Sequence, residues 1–211
     1  MDAPLFADRT AAGRALAEVL GSKRRPELVV VGLARGGVEV AAEVARALAA
    51  PLDVLAVRKI AHHLQPEYGI GAVTPGAGVY LRRLEGVGAQ HLAHAVGEAK
   101  AAAELLDRHL HIQDPALDLD GRIVVLIDDG VATGATMVAA VRWARTAGAT
   151  SVVVAVPVAA AASLIVLRRE ADEIIALYAF ERFISVGGWY RSFPQVHEAD
   201  VVTLLKASRR N

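Results

Sequence analysis

The sequence predicts an α/β fold: a doubly wound, mainly parallel sheet with helices on both faces, completed by a small C-terminal cap. Short unbroken apolar runs, LVVVG at 28–32, IVVLI at 123–127 and SVVVAVPV at 151–158, suit strands buried on both faces. Between them lie stretches with apolar residues at helical spacing, and strands alternating with helices imply a parallel sheet. With 211 residues and 54% apolar content the chain can build one sizeable core, so a single domain over 1–211 is expected.

The elements follow in order. Asp8 is an N-cap for an amphipathic helix, RTAAGRALAEVL, that stops at Gly21. After SKRRPE comes the first strand, then the glycine loop LARGG, then the strongly helical VEVAAEVARALAA. LDVLAVRK is a second strand that ends in two cations. The glycine- and proline-rich stretch from Ile60 reads as a long loop with a short hairpin, and residues about 60–80 are expected to form a flexible lid. A helix follows over 87–112, QDPALDLDG turns the chain, and IVVLI is the next strand. Helix 135–147, strand 151–158, helix 161–171 and strand 173–179 continue the alternation. The last segment, about 179–211, breaks the rhythm with aromatics and glycines and is expected to cap the sheet's active edge.

Composition excludes several function classes. The chain carries 23 basic and 23 acidic residues, so no clustered cationic surface suggests nucleic acid as a partner. It has no cysteine, which removes disulfides, thiolate catalysis and cysteine-ligated zinc together. The opening MDAPLFADRT lacks the pattern of a secretory leader, and no apolar run reaches the roughly 20 residues of a membrane helix. A cytoplasmic protein without a membrane partner is expected.

The most informative stretch is IVVLIDDGVATGAT, residues 123–136. In an open parallel sheet, ligands bind beyond the carboxyl ends of the strands, where Asp128 and Asp129 fall. The small-residue loop after them leads into a helix and exposes backbone N–H groups at its positive pole, which suits a phosphate. Thr133 and Thr136 add hydroxyl donors. The acids would repel that phosphate, so their partners should be hydroxyl groups or a hydrated cation on the far side of the same ligand. A sugar phosphate meets both demands. A Walker loop is excluded because three residues, not four, separate Gly130 from Gly134, and Ala135 stands in the lysine place. The haloacid dehalogenase pattern separates its two aspartates by one residue, whereas these are adjacent. GLARGG fails the dinucleotide fingerprint because Gly32 and Gly36 enclose three residues. An ordinary small, acidic strand-to-helix turn is the remaining alternative, opposed by the penalty for burying two unpaired carboxylates.

This stretch resembles the phosphoribosyl pyrophosphate motif of the type I phosphoribosyltransferases, without a gap from Ile123 to Thr136. More loosely the whole chain resembles the unassigned branch of that family, through FADRTAAGRALAEVL, LARGGVEVA, VRKIA, PEYGIGAV and VGGWYRSF in order. The resemblance implies that Asp128 and Asp129 bind the ribose hydroxyls and that Ala132, Thr133, Gly134, Ala135 and Thr136 hold the 5-phosphate. It implies a pyrophosphate loop at Ala34, Arg35, Gly36 and Gly37, where members often carry a non-proline cis peptide. Arg58 and Lys59 would contact pyrophosphate; surface solvation is the alternative for them and for Arg35. Glu67 on the lid is a candidate for positioning substrate or metal, or is a solvated loop residue. The implied reaction is displacement of pyrophosphate by a nitrogenous base through an oxocarbenium-like transition state. Mg²⁺ would be held mostly indirectly, through substrate and water near Asp128 and Asp129.

Two features bear on the acceptor. Enzymes of the hypoxanthine and guanine type place an aspartate where Ala132 stands, whereas alanine also occurs in adenine-using relatives. Phe183, Trp189 and Tyr190 are candidates for a base-stacking face, with ordinary cap packing as the alternative, and Arg191 is a further pyrophosphate candidate by analogy with the family's cap arginine. His62, His63, His91 and His94 lack the spacing of a metal site. A homodimer is the expected assembly. The rival reading is a non-catalytic regulator that keeps the fold to bind phosphoribosyl pyrophosphate or a nucleotide.

Overall fold

The computed structural model describes residues 3–62, 65–76, 78–81, 88–112 and 115–209, with the backbone course alone at 62 and 65–69. In chain order the elements are α1 (Arg9–Leu20), β1 (Leu28–Ala34), α2 (Gly36–Leu48), β2 (Leu52–Ala56), β3 (Arg58–His62), β4 (Gln65–Val73) and β5 (Val79–Leu81). They continue with α3 (Ala89–Leu110), β6 (Ile123–Ile127), α4 (Ala135–Thr146), β7 (Ser151–Ala160), α5 (Ala161–Leu167), β8 (Glu173–Phe180) and α6 (Glu198–Ser208). Asp8 caps α1 as expected, its carboxylate accepting the Ala11 N–H at 2.7 Å.

Five parallel strands form the central sheet in the order β2-β1-β6-β7-β8. Successive residues point to opposite faces, and here both faces are apolar. Leu28 and Val30 of β1, with Val125 and Ile127 of β6, pack beneath α1, α2 and α6. Val29, Val31 and Leu33, with Val124 and Leu126, pack beneath α4 and α5. Two cores on one sheet explain why the strand sequences are unbroken apolar runs rather than alternating ones. Pro157 is accommodated in β7 because β6 pairs only as far as Ala155, so no β6 carbonyl awaits the missing N–H.

The region after β2 departs from the sequence expectation. The stretch expected to be a lid loop with a short hairpin forms, with Arg58 and Lys59, a second, three-stranded antiparallel sheet in the order β3-β4-β5. Ile60, Ile70 and Val73 are buried against Ala103 of α3. The physical reason is a register shift between Ile60 and Ala61, which breaks the strand alternation at Ile70 and lets it join Ile60 and Val73 against the small-residue stripe of α3, a pairing that glycine-rich composition conceals.

The C-terminal segment also divides differently. Residues up to 196 lie along the sheet edge, where Phe6 bridges to Tyr190 and the Leu5 and Phe6 N–H groups donate to the Trp189 carbonyl. The rest is not cap: α6 buries Val201 and Leu205 in the layer shared with α2, because its apolar residues recur at helical spacing. No helix among the described residues is long and apolar enough to cross a membrane.

Candidate active site

Strand order places the site. β1 is followed by β2 on one side and β6 by β7 on the other, so the loops leaving β1 and β6 diverge at a topological switch point. Between them opens a cleft of about 470 Å³. A larger hollow of about 530 Å³ lies between α2 and α6, but alanine and leucine dominate it and its Arg46 is bound to its Glu43 at 2.6 Å. Converging charged and polar groups from separate loops mark the smaller cleft as the candidate site.

One wall is the β1 loop. The Ala34–Arg35 peptide is cis, and α2 begins at Gly36. A Cβ at Gly37 would lie 2.6 Å from the Ile127 carbonyl and 2.8 Å from Asp128 Cα. The two loops therefore touch, and only glycine permits it. Ala34, Arg35 and Gly36 line the cleft, with Arg58 and Lys59 at the start of β3 opposite them. The structure thus brings three of the expected cations to one opening.

The floor is the β6 loop. Asp128 and Asp129 follow Ile127 directly, and the Asp129 N–H donates to Asp128 Oδ1 at 2.9 Å. Val131 is stitched to the extended end of β7, donating to Val158 O at 2.9 Å and accepting from Ala160 N at 2.8 Å. That clamp holds Ala132 and Thr133 exposed at the mouth. Gly134 takes φ 79°, a left-handed turn that starts α4 and favours glycine. Thr136 lines the cleft, while the Ala135 methyl is buried in the core, leaving its backbone as the part available to a ligand.

The two acids differ in environment. Burial raises the Asp128 carboxyl well above its ordinary range, the Asp129 charge adds to that, and Lys59 opposes it. No cation pairs with Asp128 within 4 Å among the described residues. Asp129 instead receives Arg9 Nε on Oδ2 at 2.7 Å, and its backbone carbonyl accepts the Tyr190 hydroxyl at 2.5 Å. Burial, helped by the Asp129 charge, holds the Tyr190 phenol above its ordinary value, so it remains a neutral donor.

Arg9 is the site residue that sequence reading missed. A signal was available: a cation at the first position of a helix works against the helix dipole, and the first turn of α1 has no acid to offset it. Val186 was also missed. It lines the cleft and packs so closely on Gly130 that a Cβ there would lie 2.6 Å from it.

The aromatic candidates separate. Trp189 is 7% exposed and stacks on Phe180 with centroids 3.8 Å apart. Tyr190 is 5% exposed and packs on Phe6 and Phe193. Both belong to the packing of the cap, which corrects the expectation that they form an open stacking face; Phe183 remains half-buried. Arg191 is exposed and does not line the cleft; its N–H donates to Phe6 O at 2.9 Å. The side chains of Glu67, His62 and His63 lie outside the described residues. His94 pairs with Glu98 on exposed α3, and among the described residues no group of three or more His, Cys, Asp or Glu side chains is placed to hold a metal.

Comparison with known proteins agrees with this geometry. Residues 7–186 match the phosphoribosyl transferase domain family. Two curated Mycobacterium tuberculosis proteins, from strains CDC 1551 and H37Rv, are 40% identical over 98% of this chain, and their names class them provisionally as phosphoribosyl transferases. The chain spans about half the length of these relatives, 48% of each. Among solved structures, TT1426 from Thermus thermophilus is 39% identical with a TM-score of 0.80, covering 95% of this chain and 97% of that one. A purine phosphoribosyltransferase from Pyrococcus horikoshii, 20% identical with a TM-score of 0.51 over 90% of this chain and 89% of its own, shares the fold. Matched over most of its length, the chain belongs to the phosphoribosyl transferase domain family.

Proposed function

We propose that this chain transfers the phosphoribosyl group of phosphoribosyl pyrophosphate to a nitrogenous base, releasing pyrophosphate. The observation that carries this reading is the convergence, around one cleft, of Arg35, Arg58 and Lys59 with two adjacent carboxylates and a small-residue loop at a helix N-terminus. Each part suits one piece of the substrate. The Thr133–Thr136 loop offers backbone and hydroxyl donors to the 5-phosphate. Asp128 and Asp129 accept the ribose hydroxyls. Arg35, Arg58, Lys59 and the backbone at Gly36 and Gly37 take the pyrophosphate, whose charge grows as its bond to the anomeric carbon lengthens.

In the transfer, the bond from the anomeric carbon to the pyrophosphate oxygen breaks as the base nitrogen forms its own, and the sugar is oxocarbenium-like between the two. The carboxylates beneath the ring stabilise that developing positive charge while the cations stabilise the leaving group. Asp128 is an oxygen donor unpaired by any cation among the described residues, which fits Mg²⁺ held by one or two carboxylates together with water and substrate phosphates. When bound, the ion would offset pyrophosphate charge. The base would lie toward Val186 and Phe183, where Ala132 contributes no side-chain acid.

The test is to incubate the protein with phosphoribosyl pyrophosphate, Mg²⁺ and a panel of purine, pyrimidine and pyridine bases. Pyrophosphate release with at least one base is the expected result. Tight binding of phosphoribosyl pyrophosphate with silence across the panel would replace the transferase with a sensor.

A further inference from the structure

Arg9 is 5% exposed, although it lies outside the loops that carry the cleft. Burying a guanidinium is unfavourable unless its donors and face are satisfied. Here they are. Nε donates to Asp129 Oδ2 at 2.7 Å, Nη1 to the Pro194 carbonyl at 2.8 Å, and Cζ lies 3.7 Å from the centroid of Phe193. Glu39 of α2 stands 3.7 Å from Nη1. The four partners come from three parts of the chain: the β6 loop, α2, and two adjacent residues of the cap.

Anchoring α1 does not require this arrangement. Ala12, Leu16 and Leu20 of the same helix are already fully buried against the sheet layer. Among the described residues, Arg9 alone holds an oxygen of the second motif acid's carboxylate by a side-chain contact. The first loop also reports on that pair, because a Cβ at Gly36 would lie 3.0 Å from Arg9 Nε. The Arg9–Asp129 pair therefore sits where the pyrophosphate loop and the sugar loop meet.

We propose that Arg9 is a positioning residue of the phosphoribosyl site, clamping Asp129 through Oδ2 so that Oδ1 faces the ribose hydroxyls at a fixed angle beside Asp128. The proposal rests on the reading that these acids receive the sugar diol. It makes the acids unequal: Asp129 is fixed by a cation, whereas Asp128 meets the ligand without one. It also ties the sugar site to the cap, since the same guanidinium grips Pro194 and Phe193. Lysine replaces it only in part, keeping a charge for Asp129 but having no rigid fork to reach Asp129 and the Pro194 carbonyl together.

The experiment is calorimetric binding of phosphoribosyl pyrophosphate with Mg²⁺, and separately of inorganic pyrophosphate, to the wild type and to Arg9→Gln, Arg9→Lys, Asp129→Asn, the Arg9→Gln/Asp129→Asn double variant and Leu16→Ala. Arg9→Gln is expected to weaken phosphoribosyl pyrophosphate about tenfold and to leave pyrophosphate unchanged, with Arg9→Lys recovering part of the loss. In the Asp129→Asn background the same change should add nothing, since Arg9 acts through that carboxylate. Leu16→Ala should lower the melting temperature without changing affinity, because it loosens α1 but not the pair. Wild-type affinity in Arg9→Gln, an additive double variant, an equal loss for pyrophosphate, or an equal loss in Leu16→Ala would overturn the proposal while the functional reading stands. A wild type that fails to bind phosphoribosyl pyrophosphate would overturn both.

Discussion

The parallel sheet carries an aspartate at each of its two ends, one buried and one lining the cleft, and the two are treated in opposite ways. Asp53, near the start of β2, is 2% exposed and surrounded by donors: its own chain at Val54 N (2.9 Å), Leu117 N (2.7 Å) and the ring of His111 (3.0 Å). Asp128, at the end of β6, is half-buried beside a second carboxylate with no cation in contact among the described residues. The first arrangement satisfies a charge and ties the end of α3 to the sheet. The second gives its acid one backbone N–H and no cation at the mouth of the cleft among the described residues. Burial of an acid is thus no sign of function in itself; what separates the two ends is whether the protein supplies the partners.

The largest effect should come from the satisfied end. Asp53→Asn would take one of two counter-charges from the His111 imidazolium, leaving Asp107 alone, and would weaken the acceptor of the Leu117 N–H, a loss of about 3 kcal/mol in unfolding experiments. Hydrogen bonds to Asp107 and Asp53 raise His111 from 6.5 to about 10. His111 is therefore protonated in the fold over a range where the unfolded chain's histidine is neutral. Its contribution is complete below about pH 6.5 and disappears as pH rises through 10. Wild-type stability should fall across that window more steeply than that of His111→Asn; parallel curves would break the contrast.

At the unsatisfied end, Asp129→Asn should weaken phosphoribosyl pyrophosphate binding by about 1 to 3 kcal/mol in calorimetry with Mg²⁺ present. Unchanged affinity would remove that carboxylate from the ligand. The smallest effect sharpens the comparison most: Asp128→Asn removes a half-buried charge beside another and should raise the melting temperature by about 2 to 4 °C, roughly 1 kcal/mol, while activity falls. A lower melting temperature would mean that Asp128 is as well satisfied as Asp53.

Much of the fold and half of the site are legible in the chain. The unbroken runs at 28–32 and 123–127 predict doubly covered strands, and Asp128 to Thr136 predict the site, because a strand end, a small loop and a helix start are adjacent in sequence. The stretch 60–80 reads as a lid loop because its glycines hide the one-sided burial of Ile60, Ile70 and Val73 on α3. Trp189 and Tyr190 read as an open face because their composition fits stacking on a base and on Phe180 or Phe6 equally well.

The sequence by itself determined the order of elements, the parallel sheet and the loop that ends β6, since these follow from periodicity and neighbours within a few residues. Tertiary structure alone decided that a helix-opening arginine would meet an acid 120 positions away, that the cap aromatics would face inward, and that Asp53 would meet a histidine while Asp128 meets no cation among the described residues. Those outcomes depend on which surfaces the packed sheet brings within hydrogen-bonding distance, and no local pattern encodes that distance.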